Sequence, residues 1–208
     1  MSADAPLKGL ILAGGQSRRI GRDKAGLQFG GQAFLERAER AMSHVLKDVY
    51  VSIRPDQSAD PLRSRYACIA DRHAGIGPAA GILAAHEFSP DSAWLVIACD
   101  MPLLDGSALQ ALVAARDAGR AATIMVTADD PEIQPLCAIY EPATLAGFLD
   151  QVNEGGDSSP RAWLARLPVK RFRAPAAEVL GNVNTPAELN SLRQCGGSDA
   201  DTTDRTSG

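Results

Sequence analysis

The chain has 208 residues, of which 45% are hydrophobic, enough to bury the core of one domain. A formal net charge of -4 argues against a general nucleic-acid binder, and four widely spaced cysteines with no C-x-x-C argue against a zinc site or a disulfide framework. The N-terminal MSADAPLKG has no signal-peptide core, and no apolar run reaches the roughly 18 residues of a membrane span. We therefore expect a soluble, cytoplasmic protein with reduced thiols, bound neither to nucleic acid nor to membranes.

Apolar segments of strand length alternate with helical patterns along the chain. This alternation predicts an α/β protein whose mostly parallel sheet is covered by helices on both faces. The predicted strands are 8–13, 49–53, 66–70, 94–98, 122–126, 136–140 and 169–172. The predicted helices are 34–46, 77–86, 104–116, 142–152, 159–167 and 185–192.

The last predicted helix carries a start signal, with Thr185 as N-cap, Pro186 at the first helical position and Glu188 two positions later. We interpret residues 1–195 as a single domain. Residues 196–208 contain no apolar side chain larger than alanine, so we predict a disordered C-terminal tail.

Residues 10–25, LILAGGQSRRIGRDKA, contain a strand that runs into paired glycines. Gly14 and Gly15 have no Cβ, so backbone amides there can approach an anion closely. The basic residues that follow suit phosphate groups, namely Arg18, Arg19, Arg22 and Lys24. A solvated basic loop is the alternative. Because neither the G-x-x-x-x-G-K-[ST] nor the G-x-G-x-x-G spacing is present, a P-loop NTPase and an ordinary dinucleotide-binding domain are disfavoured.

Two aspartates follow predicted strands at the edge where open α/β sheets bind ligands. Asp100 comes after the apolar WLVIAC and could hold Mg²⁺, and Asp71 could face the same crevice. The alternative for each is a turn or helix-capping role. Glycine-rich residues 71–81 could approach a base or ribose, or could form a plain strand-to-helix loop. Asn182 and Asn184 alternate, so both amides could hold a polar substrate from one side, unless one caps the last helix.

Four segments together resemble the molybdenum cofactor guanylyltransferases, within the wider nucleotidyltransferases. They are LAGGQSRRIGRDKA, IGPAAGI, ACDMPLL and GNVNTPAEL, and the match spans roughly residues 8 to 192. The resemblance implies a three-layer Rossmann-like nucleotidyltransferase fold. It also implies a reaction, in which GTP and molybdenum-bound molybdopterin give the guanine dinucleotide cofactor and pyrophosphate, with Mg²⁺ as the metal.

The resemblance assigns roles to matching positions. Lys24 and Asp100 would be catalytic, with Asp100 as the metal ligand, and the charge of the departing pyrophosphate adds Arg19 as a further expected catalytic residue. The nucleotide-binding residues would be Leu12, Ala13, Gly14, Gly15, Lys24, Ser52, Asp71, Gly77 and Asp100. The residues on the second-substrate side would be Gly81, Asn182 and Asn184. Ser52 stands where related proteins can carry asparagine, which predicts a weaker or water-mediated nucleotide contact.

Other functions fit the same residues. A cytidylyltransferase acting on the same pterin and a sugar-phosphate nucleotidyltransferase are the nearest alternatives, because the sequence does not reveal the preferred base. A non-catalytic nucleotide-binding factor in molybdoenzyme maturation is the alternative from another class. Transient contact with maturation proteins is a further expectation.

Overall fold

The computed structural model describes residues 4–14, 23–127, 134–183, 185, 187–188 and 190–191. Several sequence predictions lie outside these residues. They concern Gly15, Arg18, Arg19, Arg22, Asn184, Pro186 and the predicted tail 196–208. No helix in the described ranges is both long and apolar enough to cross a lipid bilayer.

Nine strands and five α-helices lie within the described residues up to 183, and residues 187, 188, 190 and 191 are helical as well. The strands are β1 (Leu7–Leu12), β2 (Gln28–Phe29), β3 (Gln32–Ala33), β4 (Val49–Ile53), β5 (Cys68–Ala70), β6 (Ala93–Ala98), β7 (Ala122–Val126), β8 (Cys137–Tyr140) and β9 (Lys170–Arg173). The helices are α1 (Phe34–Ser43), α2 (Pro78–Phe88), α3 (Gly106–Ala114), α4 (Pro142–Asn153) and α5 (Pro160–Leu164). Short 3₁₀ turns include Lys24–Gly26 and Arg63–Arg65.

Seven of the strands form one sheet in the order β5-β4-β1-β6-β8-β7-β9. Strand β1 pairs in parallel with β4 and β6, so Leu12 lies between Ser52 and Ala98. Strand β8 is antiparallel to both of its neighbours, whereas the other described pairings in this sheet are parallel. The predicted mostly parallel sheet is therefore confirmed, and the carboxyl ends of β5, β4, β1 and β6 share one edge.

Helices cover both faces of this sheet. Successive side chains of β1 point to opposite faces: Ile11 packs in the cluster that includes residues of α1 and α3, and Leu10 packs in the cluster that includes residues of α2, α4 and α5. Both side chains are fully buried. The apolar strand β6 is buried along its whole length, as a central strand with two covered faces requires. The predicted three-layer α/β fold is confirmed.

The start signal of the last helix is also confirmed. The backbone N–H of Glu188 donates to Thr185 Oγ1 at 3.2 Å, and the N–H of Thr185 donates to Glu188 Oε2 at 3.1 Å. This reciprocal pair is a capping box, and residues 187, 188, 190 and 191 are helical.

Candidate active site

An open cleft of about 1100 Å³ lies at the carboxyl ends of β1, β4 and β6. Every predicted site residue that the structure describes lines it. These residues are Leu12, Ala13, Gly14, Lys24, Ser52, Asp71, Gly77, Gly81, Asp100 and Asn182. The predicted Gly15, Arg19 and Asn184 lie outside the described residues. Residues from five separate parts of the sequence thus meet at one edge of the sheet, as parallel strand order dictates.

Lys24 and Asp100 form an ion pair in the cleft. The Nζ atom of Lys24 lies 2.7 Å from Oδ2 of Asp100, and the two side chains are only 21% and 16% exposed. Lys24 opens a 3₁₀ turn, and Asp100 lies two residues beyond the end of β6. The pair therefore places a cation that can bind phosphate next to a carboxylate that can bind a metal ion, close enough for both to act on one phosphate group.

Asp71 lies beside Gly14, the described residue of the predicted glycine turn (Gly14 and Gly15). Its Oδ1 accepts a hydrogen bond from the Ser52 hydroxyl at 2.7 Å, and its Oδ2 would lie 3.3 Å from a Cβ on Gly14. Ser52 itself is 2% exposed. Its nucleotide contact stays a prediction, but the bond from its hydroxyl already orients the carboxyl group of Asp71.

Burial raises the pKa of Asp71, although the Ser52 hydrogen bond and the charge of Arg54 act in the opposite direction. The folded protein therefore holds a proton on this carboxyl more tightly than the unfolded chain does. Above the raised folded pKa the group is ionised in both states, and the folded state then carries the cost of the buried charge.

Asp71→Asn is therefore expected to increase the free energy of unfolding near pH 7. The amide still offers an oxygen to Ser52, so the hydrogen bond can persist. The gain should be absent below the unfolded pKa near 3.8, grow as the pH rises through the raised folded pKa, and stay constant above it. Urea unfolding at several pH values measures it, with exposed Asp48→Asn as the control. A difference between Asp71→Asn and wild type that does not change with pH would contradict this account.

Two glycines allow α2 to approach the cleft. Gly77 caps α2 with φ of 63°, a conformation that L side chains rarely adopt, and Pro78 follows at the first helical position. A Cβ on Gly81 would lie 2.2 Å from Ser52 Oγ and 2.7 Å from Leu12 Cδ2. The missing side chain at Gly81 therefore lets the helix lie directly against β1 and β4. Its contact with the second substrate stays a prediction.

Gly81→Ala is expected to lower the free energy of unfolding by about 1 to 3 kcal/mol, because the added methyl group overpacks the contact with Ser52 and Leu12. Gly26→Ala is the matched control, since nothing lies within 4 Å of a Cβ there and its φ is not positive. Urea unfolding of both variants measures the difference. Equal stabilities would show that the helix moves away at no cost.

Asn182 lines the cleft, and contacts of the next residue, Val183, hold it there. The backbone N–H of Val183 donates to the carbonyl oxygen of Asp100 at 2.9 Å, and the Val183 side chain is fully buried against Phe34. This attachment holds Asn182 at the cleft wall next to the Lys24–Asp100 pair. The sequence prediction that the Asn-x-Asn segment meets the site is supported at its first asparagine.

Two arginines of the site were missed by the sequence analysis. Arg54 follows β4, lines the cleft and donates from Nη1 to the carbonyl oxygen of Gly14. Arg63 lies in the connection to β5 and donates from Nη2 to the carbonyl oxygen of Ala13 at 2.7 Å. In the sequence, both arginines simply follow the predicted strand 49–53, and this position alone does not reveal what they bind. Their target carbonyls become visible only once β1 and β4 are neighbours.

The donor set around Asp100 fits Mg²⁺. Among the described residues, no three His, Cys, Asp or Glu side chains converge as a metal cage. Mg²⁺ bound with nucleotides commonly uses one or two carboxylates, with phosphates and water filling its other positions. Burial, and then the charges of Asp100 and Asp23, raise the pKa of the adjacent Cys99 to about 12, so its thiol stays protonated and offers no ligand.

A model of a known protein family matches most of the chain. The model of the MobA-like NTP transferase domain matches residues 9–172, a range that contains Gly14, Lys24 and Asp100. The chain belongs to the MobA-like NTP transferase family. It is accordingly a nucleotidyltransferase.

Relatives of this NTP transferase have names from molybdenum cofactor biosynthesis. A Mycobacterium avium protein named a probable molybdenum cofactor guanylyltransferase is 32% identical over 93% of the chain and 98% of its own length. A Synechocystis sp. molybdenum cofactor biosynthesis bifunctional protein is 33% identical over 91% of the chain, which spans only 54% of that protein. The chain also resembles the crystal structure of molybdopterin-guanine dinucleotide biosynthesis protein A from Archaeoglobus fulgidus, with a TM-score of 0.75 and 27% sequence identity. The aligned region covers 90% of this chain and 97% of the Archaeoglobus chain.

Proposed function

We propose that this transferase moves GMP from GTP to molybdenum-bound molybdopterin, forming the guanine dinucleotide cofactor and pyrophosphate. The Lys24–Asp100 pair carries the proposal, because it places a phosphate-binding cation and a metal-binding carboxylate beside the glycine turn. The names of the relatives supply the guanine base and the pterin acceptor.

The reaction is an in-line displacement at the α-phosphorus of GTP. A terminal phosphate oxygen of the pterin substrate forms the new bond, and the bond from the α-phosphorus to the bridging oxygen of the β-phosphate breaks. The electron pair leaves with pyrophosphate. Because the attacking phosphate is already ionised at pH 7, no general base is needed, and catalysis consists of positioning and charge stabilisation.

The leaving pyrophosphate needs cations next to the glycine turn. Lys24 lies there, and Arg19 and the amides of Gly14 and Gly15 are proposed to share this role. Asp100 would hold Mg²⁺, which when bound would offset the negative charge that two anions bring together. The Lys24 ammonium lies 2.7 Å from that carboxylate, so it can reach a phosphate oxygen held at the same place.

We divide the residues that line the cleft between the two substrates. We assign Leu12, Ala13, Ser52, Asp71 and Gly77 to the nucleotide side, where the end of β1 and the start of α2 line the cleft. We assign Asn182 and Asn184 to the pterin side, together with Gly81, which lies against Ser52 and Leu12 and so belongs where the two sides meet. Amide groups can both donate to and accept from a heterocycle with mixed polar edges, as a pterin has.

One assay separates this function from its alternatives. The purified protein is incubated with Mg²⁺, molybdenum-bound molybdopterin and each nucleoside triphosphate, while pyrophosphate release and product mass are measured. Of the nucleoside triphosphates, only GTP should release pyrophosphate, in an amount equal to that of the guanine dinucleotide product. Turnover with CTP would indicate a cytidylyltransferase. In a parallel assay a sugar phosphate replaces the pterin, and turnover only there would indicate a sugar-nucleotide enzyme. GTP binding without pyrophosphate release would indicate a binding factor.

We place the reaction in the cytoplasm. Cys68, Cys99 and Cys137 are free thiols, and free thiols are typical of reducing compartments. A labile molybdenum cofactor also has to reach its enzymes, so we propose transient contact with maturation proteins. Cross-linking of the product-loaded transferase to a molybdoenzyme chaperone would test that contact.

A further inference from the structure

Arg63 is the most deeply buried charged side chain among the described residues, with 1% of its surface exposed. A buried guanidinium needs charged and polar partners to offset its lost hydration. Its Nη2 atom donates to the Ala13 carbonyl at 2.7 Å and to Asp23 Oδ1 at 2.9 Å, and its Nη1 atom donates to Asp23 Oδ2. One side chain thus joins the end of β1 to the residue that precedes Lys24.

Both contacts bear on phosphate binding. The Ala13 peptide is planar, so a carbonyl held by Arg63 directs the N–H of Gly14 the opposite way. Asp23 caps the 3₁₀ turn that starts at Lys24, and its Oδ1 accepts the N–H of Ala25 at 3.1 Å. The position of Lys24 against Asp100 therefore depends on a carboxylate that Arg63 holds.

Arg63 is itself fixed. Asp60 Oδ1 accepts the backbone N–H of Arg63 at 2.9 Å and lies 3.2 Å from its Nη1. Burial acts to raise the pKa of Asp23, but the hydrogen bond and charge of Arg63, the Ala25 N–H and the charge of Arg54 together outweigh it, and the net pKa is lowered. Asp23 thus remains ionised at neutral pH and remains a bidentate partner of the guanidinium.

We propose that Arg63 is a positioning residue for the transfer reaction: its guanidinium joins Ala13 to Asp23 and so sets the distance between the glycine turn and Lys24. The proposal rests on the proposed function. It gives Arg63 an effect on the chemical step without contact with either substrate.

The test compares Arg63→Met with a matched variant elsewhere. Arg116 is also a largely buried arginine, which donates to both carboxylate oxygens of Glu141 at 2.8 Å and to the carbonyl of Ala5. It lies near the amino end of β1, away from the cleft. Arg116→Met therefore removes a similar set of bonds at the opposite edge of the sheet.

Both variants are expected to melt at lower temperature than wild type, but only Arg63→Met should lose turnover. We expect kcat to fall about 100-fold, the effect of a small displacement of a catalytic group, with the KM for the pterin unchanged. Arg63→Lys keeps the charge but cannot make the forked contacts, so its kcat should lie between those of Arg63→Met and wild type. Measurements are made well below each melting temperature. A kcat for Arg63→Met within twofold of that for Arg116→Met would overturn the proposal.

Two further readouts keep the result decisive. Asp23→Asn removes the charge that Arg63 holds and should lower kcat about tenfold, so it replaces Arg63→Met if that variant does not fold. Titration with GTP and Mg²⁺ should show about tenfold weaker binding to Arg63→Met than to Arg116→Met. If wild type binds GTP but transfers nothing, the proposed function fails and this binding ratio decides the role of Arg63. If wild type binds no nucleoside triphosphate, both proposals fail.

Discussion

Lys24→Ala is expected to lower kcat for guanylyl transfer by about 100- to 1000-fold, the usual cost of removing one group that stabilises charge in the transition state. The lysine can neutralise the leaving pyrophosphate, and the substitution removes the ion pair with Asp100. Steady-state measurement of pyrophosphate release checks the loss. Because transition-state stabilisation is affected, kcat should fall more than the KM for GTP rises.

Lys8→Ala is the matched control for that experiment. Lys8 is also a lysine paired with an aspartate, its Nζ lying 3.6 Å from Asp48, but it lies outside the cleft. Asp48 is exposed and the two charged atoms are 3.6 Å apart, so the pair adds little stability, and folding and turnover should both persist. Near-normal transfer by Lys24→Ala would rule out the proposed role of Lys24 at the leaving pyrophosphate.

Asp100→Asn is expected to have an effect of similar size on kcat, about 100-fold or more, with a different signature. The amide has nearly the same volume, so the fold should be kept, but the charge that attracts Mg²⁺ is lost. The Mg²⁺ concentration for half-maximal activity should rise by about tenfold or more. A titration of activity against Mg²⁺ at saturating GTP measures this shift.

Asp48→Asn controls for the loss of one carboxylate, because Asp48 is 61% exposed and lies outside the cleft. It should titrate with Mg²⁺ as wild type does. An Asp100→Asn enzyme with reduced kcat but an unchanged Mg²⁺ midpoint would mean that Asp100 acts through Lys24 alone. The metal would then have to be held by other residues.

Local pattern was sufficient for most helices and strands. The predicted strands 49–53 and 122–126 coincide with β4 and β7. Helix α3 is shorter than the helix predicted for 104–116. It begins only at Gly106, because Asp105 caps it by accepting the N–H of Ala108 at 2.9 Å. The β2–β3 hairpin was missed, although Gly30 and Gly31, with φ of 58° and 76°, form the two-residue turn that a Gly-Gly pair favours.

The sequence by itself determined the alternation that specifies a covered α/β sheet, the aspartates that follow β5 and β6, and the capping box at Thr185. These features depend on residues within a few positions of one another, where periodicity and capping chemistry act. Tertiary structure alone decided which of those residues meet. Lys24 pairs with Asp100 across 76 positions, and Arg63 reaches Asp23 across 40. Such contacts follow from strand order and register, which place distant strand ends side by side and leave no local signal in the chain.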